Sequence, residues 1–220
     1  MEEILSLPIR GMDGAPLTNT FFRQKEEASE LAVFFPGRGY TCAMPVLYYP
    51  TRLMVQRGAD ALTIEYNATR EAGFDQLDME ERLRRLGNDA RNAVEVALTQ
   101  RKYQRVVLFG KSLGSLVLAW LLVHEPELLH ATYVWLTPLV RVPFLREAVR
   151  RAKPQSLFIA GDADPLFDSD AMQDLMKQGD FHLLVLSGAN HSLEIEGDLE
   201  ATLKGMSLML RTLDEFLQKG

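Results

Sequence analysis

The chain has 220 residues, 47% of them hydrophobic and 25% charged, with a formal net charge of −6. That length supports one sizeable core in a single domain, 1–220, and the acidic balance argues against a nucleic-acid partner. A lone cysteine excludes an internal disulfide, which fits a reducing, cytoplasmic setting.

At the N-terminus, Met1-Glu2-Glu3-Ile4 lacks the basic start and apolar run of a secretory signal. Residues 4–9 and 17–24 flank the turn-rich Gly11-Met12-Asp13-Gly14 and predict an antiparallel pair at one sheet edge. Residues 31–35, Leu-Ala-Val-Phe-Phe, begin a parallel part and run into Pro36-Gly37-Arg38-Gly39-Tyr40. The pattern then predicts a helix over 45–57 ending at Gly58, a strand over 61–66, and a loop over 67–74 that carries Arg70 and Glu71. A long helix over about 77–100 follows, because Leu83, Leu86, Ala90, Ala93, Val94, Ala97 and Leu98 recur at helical spacing around a solvated charged face.

Val106, Val107, Leu108 and Phe109 suit a strand buried on both faces, and they stop at Gly110. Gly110-Lys111-Ser112-Leu113-Gly114 then leads into Leu116-Val117-Leu118-Ala119-Trp120-Leu121, a buried helix. A serine between strand and helix, with glycine two positions before and after it, is the setting of a nucleophile elbow. The next helix offers backbone N–H groups and a positive dipole end to a developing oxyanion. A phosphate loop would need glycine where this chain has Arg105. A serine that merely caps the helix is the other reading, and it weakens only if a base and an acid follow downstream. The apolar stretch 113–123 is too short to span a bilayer, so no membrane partner is expected.

Residues 131–136 read as a strand, and Thr137-Pro138-Leu139-Val140-Arg141-Val142 reaches Pro143, a first-turn helix proline, leaving little room for an inserted cap. Residues 155–160 form another buried strand that runs into Gly161-Asp162-Ala163-Asp164-Pro165, a turn that exposes carboxylates. Asp164 is the favoured acid; Asp162, immediately after the strand, is its competitor and could instead tie up the turn's own N–H groups. Asp168 and Asp170 suit the cap of a helix beginning near Ser169. A last strand over 181–186 precedes Ser187-Gly188-Ala189-Asn190-His191, and His191 is the favoured base. An amphipathic helix over 199–217 closes the chain.

In a parallel sheet these loops share one edge, so serine, carboxylate and imidazole can converge. His191 would accept the Ser112 proton during attack, and Asp164 would fix the imidazole tautomer and stabilise the imidazolium. His124 and His130 flank the break at Pro126 and His182 lies in a strand, so all three read as structural. Cys42 has no elbow context, and no pattern of metal-ligand spacing occurs.

Through Gly110-Lys111-Ser112-Leu113-Gly114, Gly161-Asp162-Ala163-Asp164-Pro165 and Gly188-Ala189-Asn190-His191-Ser192, in that order, the chain resembles the α/β-hydrolase family. The resemblance implies a three-layer α/β/α sandwich with a mostly parallel sheet, a minimal cap, and Ser112, Asp164 and His191 as nucleophile, acid and base. It also implies a second oxyanion donor in the loop after residue 35, where the family often carries His-Gly and this chain carries Pro36-Gly37. Pro36 has no N–H, which leaves the Arg38 N–H as partner to the Leu113 N–H. The Arg38 guanidinium could also pair with an anionic substrate group or simply face solvent. Tyr40, Arg70, Leu139 and Arg141 are rim candidates, and Lys111 could line the mouth or be exposed.

The expected activity is a serine hydrolase cleaving carboxylic esters or thioesters through an acyl-enzyme on Ser112, with a small acyl substrate and no cofactor. Peptide or amide hydrolysis, acyl transfer with the same residues, and a non-catalytic binding protein on the same fold are the alternatives.

Overall fold

A computed structural model of the chain describes residues 2–66 and 73–219. Eight strands form one sheet in the spatial order β1 (Glu3–Leu5), β2 (Thr18–Arg23), β4 (Asp60–Glu65), β3 (Glu30–Phe35), β5 (Arg105–Lys111), β6 (Thr132–Leu136), β7 (Ser156–Gly161) and β8 (His182–Leu186). β2 pairs antiparallel with β1 and with β4, and every pairing from β4 through β8 is parallel. The helices are α1 (Pro45–Gln56), α2 (Met79–Leu98), α3 (Leu113–His124), α4 (Pro143–Ala152), α5 (Ser169–Met176) and α6 (Leu199–Gln218).

The three layers follow from the two-residue period of the strands. Leu31, Val33 and Phe35 of β3, Leu108 of β5 and Tyr133 and Trp135 of β6 pack with α2, α3, α4 and α5. Their neighbours Ala32, Phe34, Val107, Phe109, Val134 and Leu136 pack with α1 and α6 on the other face. Because both faces are covered, the strands carry continuous apolar runs and not the alternation of a half-solvated sheet.

Strand order places the functional loops. The chain moves outward from β3 to β4 and then returns across β3 to β5, so its direction of travel reverses between β3 and β5. Right-handed crossovers then demand helices on opposite faces, as seen for α1 and α2. A reversal of this kind opens a crevice at the carboxyl ends of the two strands. Phe35 is in register with Gly110 there, so the loop after β3 and the turn after β5 lie side by side.

Two boundaries differ from the sequence expectation. β1 spans only Glu3–Leu5, because beyond Pro8 and around Leu7 a side chain replaces the ladder: Asn19 Oδ1 accepts from the Leu7 N–H at 2.8 Å, and Asn19 Nδ2 donates to the Leu7 carbonyl at 2.9 Å. α2 starts at Met79 because Asp78 caps it, accepting from the Glu81 N–H at 2.8 Å, and residues 74–76 form a separate 3-10 turn. Among the described residues no helix is long and apolar enough to cross a membrane.

Candidate active site

Ser112 sits between β5 and α3 at φ 52° and ψ −112°, a conformation that strains a residue bearing a Cβ. Neighbours hold it there. Its N–H donates to the Leu136 carbonyl at 3.0 Å, and its carbonyl accepts from the Ser115 N–H at 2.8 Å and from Ser115 Oγ at 2.6 Å. Ser115 Oγ also accepts from the Leu139 N–H at 3.1 Å, tying the elbow to the loop after β6. The two flanking glycines are required by close approach. A Cβ on Gly110 would lie 2.5 Å from the Gly114 carbonyl oxygen and 2.6 Å from Leu118 Cγ, and one on Gly114 would strike the Phe35 carbonyl.

The loop after β3 closes on the elbow from the other side. A Cβ on Gly37 would lie 3.2 Å from Ser112 Cβ and 3.3 Å from the Lys111 carbonyl oxygen, so glycine lets this backbone approach the nucleophile position. The loop turns tightly, with the Tyr40 N–H donating to the Gly37 carbonyl at 3.3 Å and Gly39 at φ 65°. Arg38 lies within that turn. Leu113 is the first residue of α3, so its N–H has no intrahelical acceptor and sits at the positive end of the helix.

Asp164 and His191 are brought together: His191 Nδ1 and Asp164 Oδ2 are 2.7 Å apart. The Asp164 side chain is 3% exposed and that of His191 27%, which puts the carboxylate behind the ring. Burial alone would raise the Asp164 pKa; the hydrogen bonds from His191 and from the Leu166 N–H, at 2.8 Å, outweigh it and hold the carboxyl below its ordinary 3.8. His191 is aimed by a knot of local bonds in which Asn190 Oδ1 accepts from the Ser192 N–H at 2.8 Å and the Glu194 N–H at 3.1 Å. Buried Leu193, at φ 58°, anchors the knot to the core. Among the described residues no hydrogen bond joins Ser112 Oγ to His191. Such contacts are often long without substrate and tighten in the complex.

Asp162 takes a different task from Asp164. Its carboxylate accepts from the Gly188 N–H at 2.6 Å and from Ser187 Oγ at 3.0 Å, so it braces the loop that carries His191 and leaves its own turn alone. Asp168 caps α5 by accepting from the Ala171 N–H at 2.9 Å.

The remaining candidates are dispersed. The Arg38 guanidinium is exposed and paired with Asp75. Tyr40 is buried, with its hydroxyl accepting from the Val46 N–H at 3.0 Å, and it lines the inner wall of a cavity of about 520 Å³ with Pro36, Arg38, Thr41, Glu65 and Tyr66. Leu139 is half-buried and its N–H is taken by Ser115. Arg141 is exposed and donates to the Phe167 carbonyl at 3.0 Å. Arg70 falls outside the described residues. Cys42 is buried, and burial pushes its thiol well above the ordinary range. His124 bonds the Trp120 carbonyl at 2.8 Å and His182 packs edge-on against Phe216, so both serve structure. Among the described residues no three His, Cys, Asp or Glu side chains are grouped as metal ligands.

Lys111 is the residue that sequence reasoning left unplaced. It is 2% exposed, with its ammonium 4.4 Å from the centroid of the Tyr40 ring. Strand parity could have found it, since Val107 and Phe109 face α1 and α6, and Lys111 continues that row.

No family model matches the sequence, and no curated protein matches it. The structure is similar to a candidate α/β hydrolase of unknown function from Agrobacterium tumefaciens, at 21% identity and TM-score 0.77, covering 100% of this chain and 97% of that one. Dienelactone hydrolase from Anabaena variabilis superposes at 17% identity and TM-score 0.77, over 99% of this chain and 98% of its own. An α/β serine hydrolase without a lid from Xanthomonas campestris does so at 18% identity and TM-score 0.73, over 99% and 94%. With its eight-stranded, mostly parallel sheet between two helical layers and near-complete mutual coverage of these structures, the chain has the fold of the α/β hydrolases.

Proposed function

We propose that the protein is a serine hydrolase that cleaves carboxylic esters or thioesters through an acyl-enzyme on Ser112. The observation that carries this reading is the 2.7 Å pair of Asp164 and His191, at the same sheet edge as a strained serine elbow with the Gly37 backbone against it. Two of the superposed proteins are named as hydrolases, one of them an α/β serine hydrolase, which supports the chemistry at the level of the class.

In this mechanism His191 accepts the Ser112 proton as Oγ attacks the acyl carbon, and Asp164 stabilises the imidazolium that results. The acyl oxygen becomes negative and is met by the N–H groups of Leu113 and Arg38. The imidazolium returns its proton to the departing alcohol or thiol. Water, deprotonated by the same ring, then splits the acyl-enzyme and releases the acid. Only residues 137–142 separate β6 from α4, so the cleft is read as open, with Leu139 and Arg141 at its rim. The reading makes the chain a single catalytic domain that works in the cytoplasm on a small acyl substrate and needs no cofactor.

The test is turnover of p-nitrophenyl acetate together with labelling by a fluorophosphonate, located by mass spectrometry. Label on Ser112, lost in a Ser112→Ala protein that still unfolds cooperatively, is the expected result. Folded wild-type protein that neither turns over nor labels would instead establish a binding protein on this fold. Labelling without ester turnover would move the assignment to amides or to acyl transfer.

A further inference from the structure

We propose, resting on the serine-hydrolase reading, that Lys111 is a positioning residue: its ammonium clamps the 37–40 loop to the elbow through the face of Tyr40 and supplies positive potential where the acyl oxygen becomes negative. The sequence left Lys111 open between lining the mouth and facing solvent. It turns inward and is 2% exposed.

Its stem runs beneath the loop that offers the Arg38 N–H, with Cδ 3.3 Å from the position a Gly37 Cβ would occupy. Its head meets the Tyr40 ring at 4.4 Å, and Tyr40 in turn accepts from the Val46 N–H at 3.0 Å in the first turn of α1. One side chain therefore joins β5, the loop after β3 and, through Tyr40, the start of α1. A cation over an aromatic face is worth more when desolvated, as here.

A structural filler is the competing explanation, and electrostatics argue against it. Burial pushes the Lys111 ammonium down to about 8, with the Asp164 carboxylate partly offsetting the effect. A methionine would fill the same volume with no charge to desolvate, so a buried cation here lowers stability without helping the packing. The groups around it are Tyr40, which burial pushes up to about 12 and keeps neutral, and Asp164 with its partner His191. Glu194, on the loop after β8, adds a negative charge that acts on Tyr40. Among the described residues Lys111 has no salt bridge that would explain its charge as half of a structural pair.

The stability sign separates the two explanations. Below about pH 8 both folded and unfolded chains carry the proton, and the burial penalty is fully present. Between about 8 and the ordinary 10.5 only the unfolded chain keeps it, so wild-type stability rises with pH through that window. A Lys111→Met protein should therefore melt higher than wild type at pH 7, with the gap closing as pH approaches 10.5.

The experiment compares wild type, Lys111→Met, Lys111→Arg and Tyr40→Leu by kcat and KM against pH, fluorophosphonate labelling rate, and thermal midpoint. The expected outcome is a kcat about tenfold lower in Lys111→Met, equivalent to roughly one cation's stabilisation of a developing anion, with KM little changed. The decline of wild-type activity as pH rises through about 8 should be absent in that variant, and Lys111→Arg should restore part of the rate without that decline. Tyr40→Leu should lose rate in the same sense. Lys111→Met with wild-type kcat and labelling, or with a lower midpoint at pH 7, overturns the proposal while Ser112 labelling keeps the hydrolase reading. If Lys111→Met does not fold, a Tyr40→Leu protein with wild-type rate and pH profile overturns it. An unlabelled wild type removes both readings together.

Discussion

Asp162 and Asp164 stand two positions apart at the end of one strand, and the structure divides their labour by what reaches each carboxylate. Asp164 receives the His191 ring and the Leu166 N–H, whereas Asp162 receives the Gly188 N–H and the Ser187 hydroxyl. Asparagine at 164 would keep the shape but present the ring with the wrong tautomer and no charge for the imidazolium. Asp164→Asn should lower kcat by roughly 10³- to 10⁴-fold. Asp162→Asn should act through the brace alone, removing about 1–2 kcal/mol of stability with far less rate loss. Steady-state kinetics and urea unfolding on both proteins check this, and equal rate losses would reverse the assignment. The positions of Ser112, Asp164 and His191 were legible because each lies in the short segment that follows a parallel strand, after β5, β7 and β8. The inward turn of Lys111 followed from strand parity with Val107 and Phe109, but the Tyr40 ring that receives its ammonium lies on another loop and had no signal in the neighbouring sequence.

At the level of elements, the strands were the most legible part, because a sheet covered on both faces leaves uninterrupted apolar runs such as residues 106–109 and 133–136. What blurred the boundaries was side-chain chemistry acting across sequence: Asn19 ended β1, and Asp78 moved the start of α2. Helix packing was likewise invisible. Gly87, in the middle of α2, reads as a weak point of a helix, yet a Cβ there would penetrate the indole of Trp120 on α3. That ring cannot yield freely, since His124 stacks on it at 4.2 Å and the Arg91 guanidinium lies 5.1 Å from its centroid. Gly87→Ala should therefore destabilise by about 1–3 kcal/mol, although alanine is the better helix former, and should leave fluorophosphonate labelling of Ser112 intact. Chemical denaturation of the two proteins measures the first effect. A neutral or stabilising result would mean that α2 and α3 are free to separate.

Over the whole molecule, the parallel run of β3, β5, β6, β7 and β8 carries the elbow, Asp164 and His191 to one edge while the two apolar layers lie on either side of the sheet. The site is thus supported by a core that it does not interrupt, and strain can be held locally. Ser112, at φ 52° and ψ −112° beside the Gly37 backbone, carries such strain at the nucleophile position. Glycine at this position removes the Cβ, its backbone restriction and the hydroxyl together. The balance between relieved strain and the larger conformational freedom of an unfolded glycine decides the outcome. Strain of this kind amounts to about 1–3 kcal/mol, against about 1 kcal/mol for the entropy of glycine. Ser112→Gly should therefore abolish labelling while raising the thermal midpoint, by roughly 2–4 °C for each net kcal/mol gained in a chain of this size. Calorimetry of wild type, Ser112→Gly and Ser112→Ala separates the contributions, since alanine loses the hydroxyl but keeps the Cβ and its strain. A Ser112→Gly midpoint at or below that of Ser112→Ala would mean that the surrounding bonds from Leu136 and Ser115 have already relaxed the elbow, and that its geometry is held without stored energy.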